Sequence, residues 1–90
     1  MEQLQLKNYM EEIVFRLMKD VLSDINVCTC ENCILDIAAI ALNTLPPKYI
    51  VTEKGELYSK ISALQQQFEV DVIAAITKAA VLVKRNPRHK

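Results

Sequence analysis

Ninety residues, 51% of them apolar and 24% charged, with a formal net charge of zero, describe one small domain that can bury a core with little stability in reserve. The composition excludes membrane insertion through an apolar helix, because no run approaches the roughly 18 apolar residues a span needs. It also excludes a duplex nucleic-acid binder, because the basic residues form no helix-length stripe.

The N-terminal stretch MEQLQLKNYMEE is polar and acidic, unlike the basic-then-apolar start of a signal peptide, so a cytoplasmic location is expected. From Leu4 onward, Leu6, Met10, Ile13, Val14, Leu17, Met18, Val21 and Leu22 recur at steps compatible with one helix face, with Glu11, Glu12, Arg16, Lys19 and Asp20 between them. This predicts an amphipathic helix over about 4–23. Ser23, Asp24 and Asn26 supply turn chemistry before an irregular segment that carries CTCENC at 28–33. ENCILDIAAIALN then predicts a second helix over about 31–44, apolar around most of its circumference and therefore expected at the centre of the fold.

LPPKYIVTEKGE breaks the pattern: Pro46 and Pro47 remove donors, and the single glycine, Gly55, marks a turn, so an ordered Pro-rich loop is expected. A long helix follows over about 57–84. Its first stripe is Leu57, Ile61, Leu64, Phe68, Val72, Ile76, Ala79 and Val83, and a second runs through Val70, Ile73, Thr77 and Val81. Two apolar faces exceed what two other helices cover, which predicts a symmetric homodimer. The charge is uneven as well. Residues 1–36 hold seven acids against three bases, whereas Val72–Lys90 holds Lys78, Lys84, Arg85, Arg88 and Lys90 and no acid, with a basic tail over 85–90. The expected fold is all-α: one three- to four-helix domain over 1–90 with a long C-terminal helix, forming a homodimer.

All three cysteines fall within 28–33. An odd number of thiols in a reducing compartment disfavours a structural disulfide. Cys-x-Cys-x-x-Cys can place three sulfurs around one tetrahedral ion when the third lies in the first turn of a helix, and the positive end of that helix also favours thiolates. Cys28, Cys30 and Cys33 are thus candidate zinc ligands, and the same pattern suits inert reduced cysteines or a redox switch. Three ligands leave a fourth position open, for which His89, the sole histidine, Asp24, Asp36, water or a residue of a second copy are candidates. No glycine-rich phosphate loop is present, Glu11–Glu12 and Glu53–Glu56 read as solvated surface, and a cysteine–His89 pair would rely on a histidine in the terminal tail, so no enzymatic activity is expected.

CTCENCILDIAAIALNTLPPKYIVTEKGE, followed by ALQQQFEVDVIAAITKAA, carries Cys30-x-x-Cys33, Asp36, Ala-Leu-Asn at 41–43 and Leu-Pro-Pro-Lys-Tyr at 45–49. Together these resemble the late competence development protein ComFB family over nearly the whole chain. The resemblance implies a small helical homodimer without enzymatic activity, often carrying cysteine-bound zinc and tied to natural competence, type IV pili and motility. It also implies a receptor for cyclic dinucleotides such as cyclic di-AMP or cyclic di-GMP; the alternative is an adaptor whose apolar surface and basic tail dock a competence or pilus protein. Carried over, the zinc ligands are Cys28, Cys30 and Cys33. Members with a complete sulfur site can have a further cysteine near the C-terminus; this chain has none there, and His89 stands at the corresponding end. By residue type alone, Lys48 and Arg85 suit the phosphates of such a ligand and Tyr49 and Tyr58 its bases.

Overall fold

The computed structural model describes residues 4–53 and 57–86, with side chains over 4–51 and 62–86. The chain runs β1 (Leu4–Asn8), α1 (Tyr9–Ser23), α2 (Glu31–Thr44), β2 (Tyr49–Glu53) and α3 (Leu57–Arg85). Three helices therefore dominate, and the all-α expectation is corrected by a two-stranded antiparallel ribbon in which Leu4 faces Glu53, Leu6 faces Val51 and Asn8 faces Tyr49.

The expected helix start at residue 4 fails because Leu4 and Leu6 are two residues apart, the period of a strand. The helix starts only after Asn8, whose extended backbone and side-chain oxygen cap it by accepting the Met10 N–H at 3.2 Å. Asn8-Tyr9-Met10-Glu11 is the sequence form of such a cap, with an acid at the third helical position. The expected loop after the prolines likewise shortens to residues 45–48, since Tyr49-Ile50-Val51-Thr52 is a β-branched and aromatic run suited to a pleated strand. The turn expected at Gly55 lies outside the described residues.

Asn8 also joins these two regions. Its Oδ1 accepts the Lys48 N–H at 2.8 Å, and the Lys48 carbonyl in turn accepts the Tyr9 N–H at 2.8 Å. One side chain thus caps α1 and fastens the Pro-rich segment to it. Asn8→Ala removes the cap and leaves a partly buried Lys48 donor unanswered, so a loss of about 2 kcal/mol in urea denaturation is expected. Asn8→Asp, which keeps the acceptor, should recover most of it.

The core gathers Met10, Ile13, Val14, Leu17, Met18 and Leu22 of α1, Cys33, Ile37, Ala38 and Ala41 of α2, and Val72, Ile76, Ala79, Ala80 and Val83 of α3. Each large member contributes about 1.5–3 kcal/mol through its burial. α3 packs against both other helices, which touch each other far less, so α3 rather than α2 is the central element. Leu35 and Ala39 on α2 consequently face solvent. Tyr9 is also fully buried, and its hydroxyl has no hydrogen-bond partner among the described residues. No helix among the described residues is long and apolar enough to cross a membrane.

The first stripe of α3 is the buried one from Val72 to Val83, with Leu64 and Phe68 half-buried ahead of it. The second stripe is bare: Val70 is 80% exposed, and Ile73, Thr77 and Val81 are exposed with it.

A three-thiol cluster as the candidate functional site

The segment between α1 and α2 is short and held from both ends. Asp24 and Ile25 donate back to the Val21 and Leu22 carbonyls, Val27 donates to the Ile25 carbonyl at 2.9 Å, and Ile25 and Val27 lean on the core. Hydrophobic anchoring on one side of this segment places Cys28 and Cys30 on the other, where both are exposed. Cys30 is the N-cap of α2, with extended backbone and no side-chain cap hydrogen bond, and its carbonyl accepts the Ile34 N–H at 2.9 Å. Cys33 falls in the first turn and faces inward, fully buried.

The three sulfurs lie within 4.8 Å of one another, close enough to hold a metal ion. None of the three cysteines is disulfide-bonded. Burial pushes the Cys33 thiol up to about 12, and hydrogen bonds with Cys30 and Cys28, together with their charges, push the same way. The cluster therefore resists becoming three thiolates by itself. A bound cation reverses that balance, because it neutralises the charge that burial and the neighbouring sulfurs oppose, and its binding releases protons. Cys30 caps α2 and Cys33 lies in its first turn, so the positive end of the helix favours negative charge there.

Among the described residues no carboxylate joins the cluster, so Asp24 and Asp36 are not brought to it, and His89 lies outside the described residues. The candidate ligand-binding residues are spread. Lys48 stacks its ammonium over the Phe68 ring, 5.1 Å from the centroid, and Tyr49 projects from the start of β2 with most of its surface exposed. Tyr58 belongs to the first turn of α3, about 15 Å along the helix before Phe68, and its side chain is not among those described. Arg85 is exposed at the last turn, about 25 Å beyond Phe68. A single protomer thus brings Lys48 and Tyr49 together and leaves Arg85 remote. Phe68, which holds Lys48 in place, is recognisable in the sequence only as a member of the first apolar stripe of the long helix, and nothing there ties it to Lys48.

A family model described as late competence development protein ComFB matches residues 7–87. Competence protein ComFB of Bacillus subtilis (strain 168) is 25% identical over 83 residues, which cover 91% of this chain and 85% of that protein. The solved structure of the late competence protein ComFB from Bacillus subtilis superposes with a TM-score of 0.79 at 25% identity, covering 93% of this chain and 96% of that one.

Proposed function

We propose that this chain, which belongs to the late competence development protein ComFB family, is a non-enzymatic homodimeric regulator that holds zinc structurally on Cys28, Cys30 and Cys33 and receives a cyclic dinucleotide as its signal. Thiolate donors suit zinc, which holds its sulfurs about 3.8 Å apart in tetrahedral geometry. Sulfurs already within 4.8 Å need to move by only about 1 Å to reach it. Such an ion supplies no reaction; it ties the α1–α2 segment to the first turn of α2.

The observation that carries the receptor reading is the bare face of α3. Val70, Ile73, Thr77, Val81 and Lys84 are all exposed, and they are spaced symmetrically about Thr77. A second copy turned antiparallel about Thr77 sets Ile73 against the partner's Val81. The same turn sets Glu69 against the partner's Arg85. Asp20 and Asp24 of α1 line the same groove as Glu69 and Ile73, so the acidic half of each copy receives the basic half of the other. This pairing also carries the partner's Arg85 to the level of Phe68 and Lys48. Two equivalent clusters of Lys48, Tyr49 and the partner's Arg85 then suit a ligand that itself has two-fold symmetry.

Isothermal calorimetry with cyclic di-AMP and with cyclic di-GMP tests the reading. Saturable binding of one nucleotide per dimer is expected, weakened by about tenfold or more in Lys48→Ala and in Tyr49→Ala, since each substitution acts twice per ligand. Absence of heat with both nucleotides removes the receptor role.

A second reading is an adaptor that docks a protein of the DNA-uptake or pilus machinery with no nucleotide ligand. It is favoured by the separation of Arg85 from Lys48 within one protomer, and it requires both nucleotides to be silent while a pilus or uptake protein binds the bare face of α3.

A further inference from the structure

A cleft of about 430 Å³ opens between the last two turns of α1 and the start of α2. Its floor is Met18 and Leu22, only 3% and 5% exposed and therefore part of the core, and its walls are Phe15 and Ile34. The volume lies in the range of small-molecule sites, and the surface offered is mostly hydrocarbon. Three polar residues stand at the edge: Lys19, Ser23 and Thr29. The Ser23 hydroxyl is committed as a donor to the Asp20 carbonyl at 2.8 Å. Lys19 makes no ion pair among the described residues.

The lining contains no carboxylate, which sets this cleft apart from those along α3, where Asp36, Asp71 or the Asp20–Asp24–Glu69 group is present. Lys19 is exposed and keeps its water beside a neutral ligand, so an anionic group gains a modest surface ion pair there while a cation is repelled. We propose that this cleft is a binding site for a compact amphipathic acid, whose hydrocarbon covers Met18, Leu22 and Ile34 and whose anionic group meets Lys19 and the Thr29 hydroxyl. The site requires neither the metal ion nor the second copy, so it stands apart from the receptor reading above.

The test uses the full ¹⁵N-labelled chain, titrated with octanoate and separately with 1-octanol. Octanoate is expected to shift the amides of Lys19, Ser23, Thr29 and Ile34 saturably, and octanol to bind there about fivefold more weakly. Lys19→Gln should abolish the difference between the two, and Ser23→Phe, which fills the mouth, should abolish both. Both positions are exposed, and unchanged melting curves verify that the variants fold. Equal affinity for acid and alcohol in the unsubstituted chain, or shifts scattered away from the cleft, would overturn the proposal. An anionic lipid presents the same chemistry, so a third arm measures sedimentation with phosphatidylglycerol vesicles. Co-sedimentation without octanoate shifts would assign the charge of Lys19 to a lipid surface and overturn the site for a free acid.

Discussion

Cys28→Ser lowers the melting temperature of the metal-loaded chain by about 15 °C, corresponding to roughly 3 kcal/mol in a domain of this size, and the chelated wild-type chain melts at the same lowered temperature. Cys28 discriminates better than Cys33. Cys33 is fully buried against Ile37 and the other core residues, so its replacement costs packing energy whether or not metal is bound. Cys28 is exposed, and exchanging its sulfur for oxygen costs little unless that sulfur holds an ion. Elemental analysis of protein purified without added zinc accompanies the melts. Equal melting of the wild type with and without chelator, together with a silent Cys28→Ser, would remove the structural-zinc role. A reversible change in mass with oxidant in metal-free protein would place the three thiols in a redox role instead.

In the homodimer proposed above, Ile73→Glu is expected to raise the dissociation constant at least about 100-fold by sedimentation equilibrium. The substitution enters a two-fold interface twice. In each copy it places a carboxylate in the groove that already holds Asp20, Asp24 and Glu69, where like charges repel and removal from water costs more. The groove belongs to a single protomer and Ile73 is only 37% exposed in it, so the protomer also loses some stability; a melting curve at low concentration measures that part, and lost association is what exceeds it. A charge exchange supplies the converse: Glu69→Lys and Arg85→Glu each weaken association, and the two together restore much of it. A dimer indifferent to Ile73→Glu would place the interface on another surface, and a monomeric wild type would remove the homodimer.

The helical stripes were legible in the sequence because burial imposes one period over many residues. Val72, Ile76, Ala79 and Val83 face the core, and the extra stripe through Val70, Ile73, Thr77 and Val81 is the bare one. The ribbon was not legible at its first strand, because Leu4 and Leu6 fit a helical stripe nearly as well as a strand when Met10 and Ile13 follow. Only the cap at Asn8 separates the two, and what fixes that cap is a hydrogen bond to Lys48, forty residues away in sequence. Non-local bonds of this kind leave no periodic trace. The thiol cluster was legible from spacing alone, since a turn leading into a helix brings residues 28, 30 and 33 together in any register. The cleft at Lys19 was not, because its walls come from two helices whose relative placement is set by α3.

The ribbon carries a consequence for the order in which the molecule assembles. Two strands alone are marginal in water, and here they are separated by the whole of α1 and α2, so closing that loop costs entropy before any ladder bond forms. The strands therefore meet only after the three helices have condensed around Ile37 and Ile76, and they part first when the structure loosens. Leu4 and Leu6, which face solvent, add little to hold them. β1 is thus expected to act as a late-closing clasp on the helical body, its opening costing less than global unfolding.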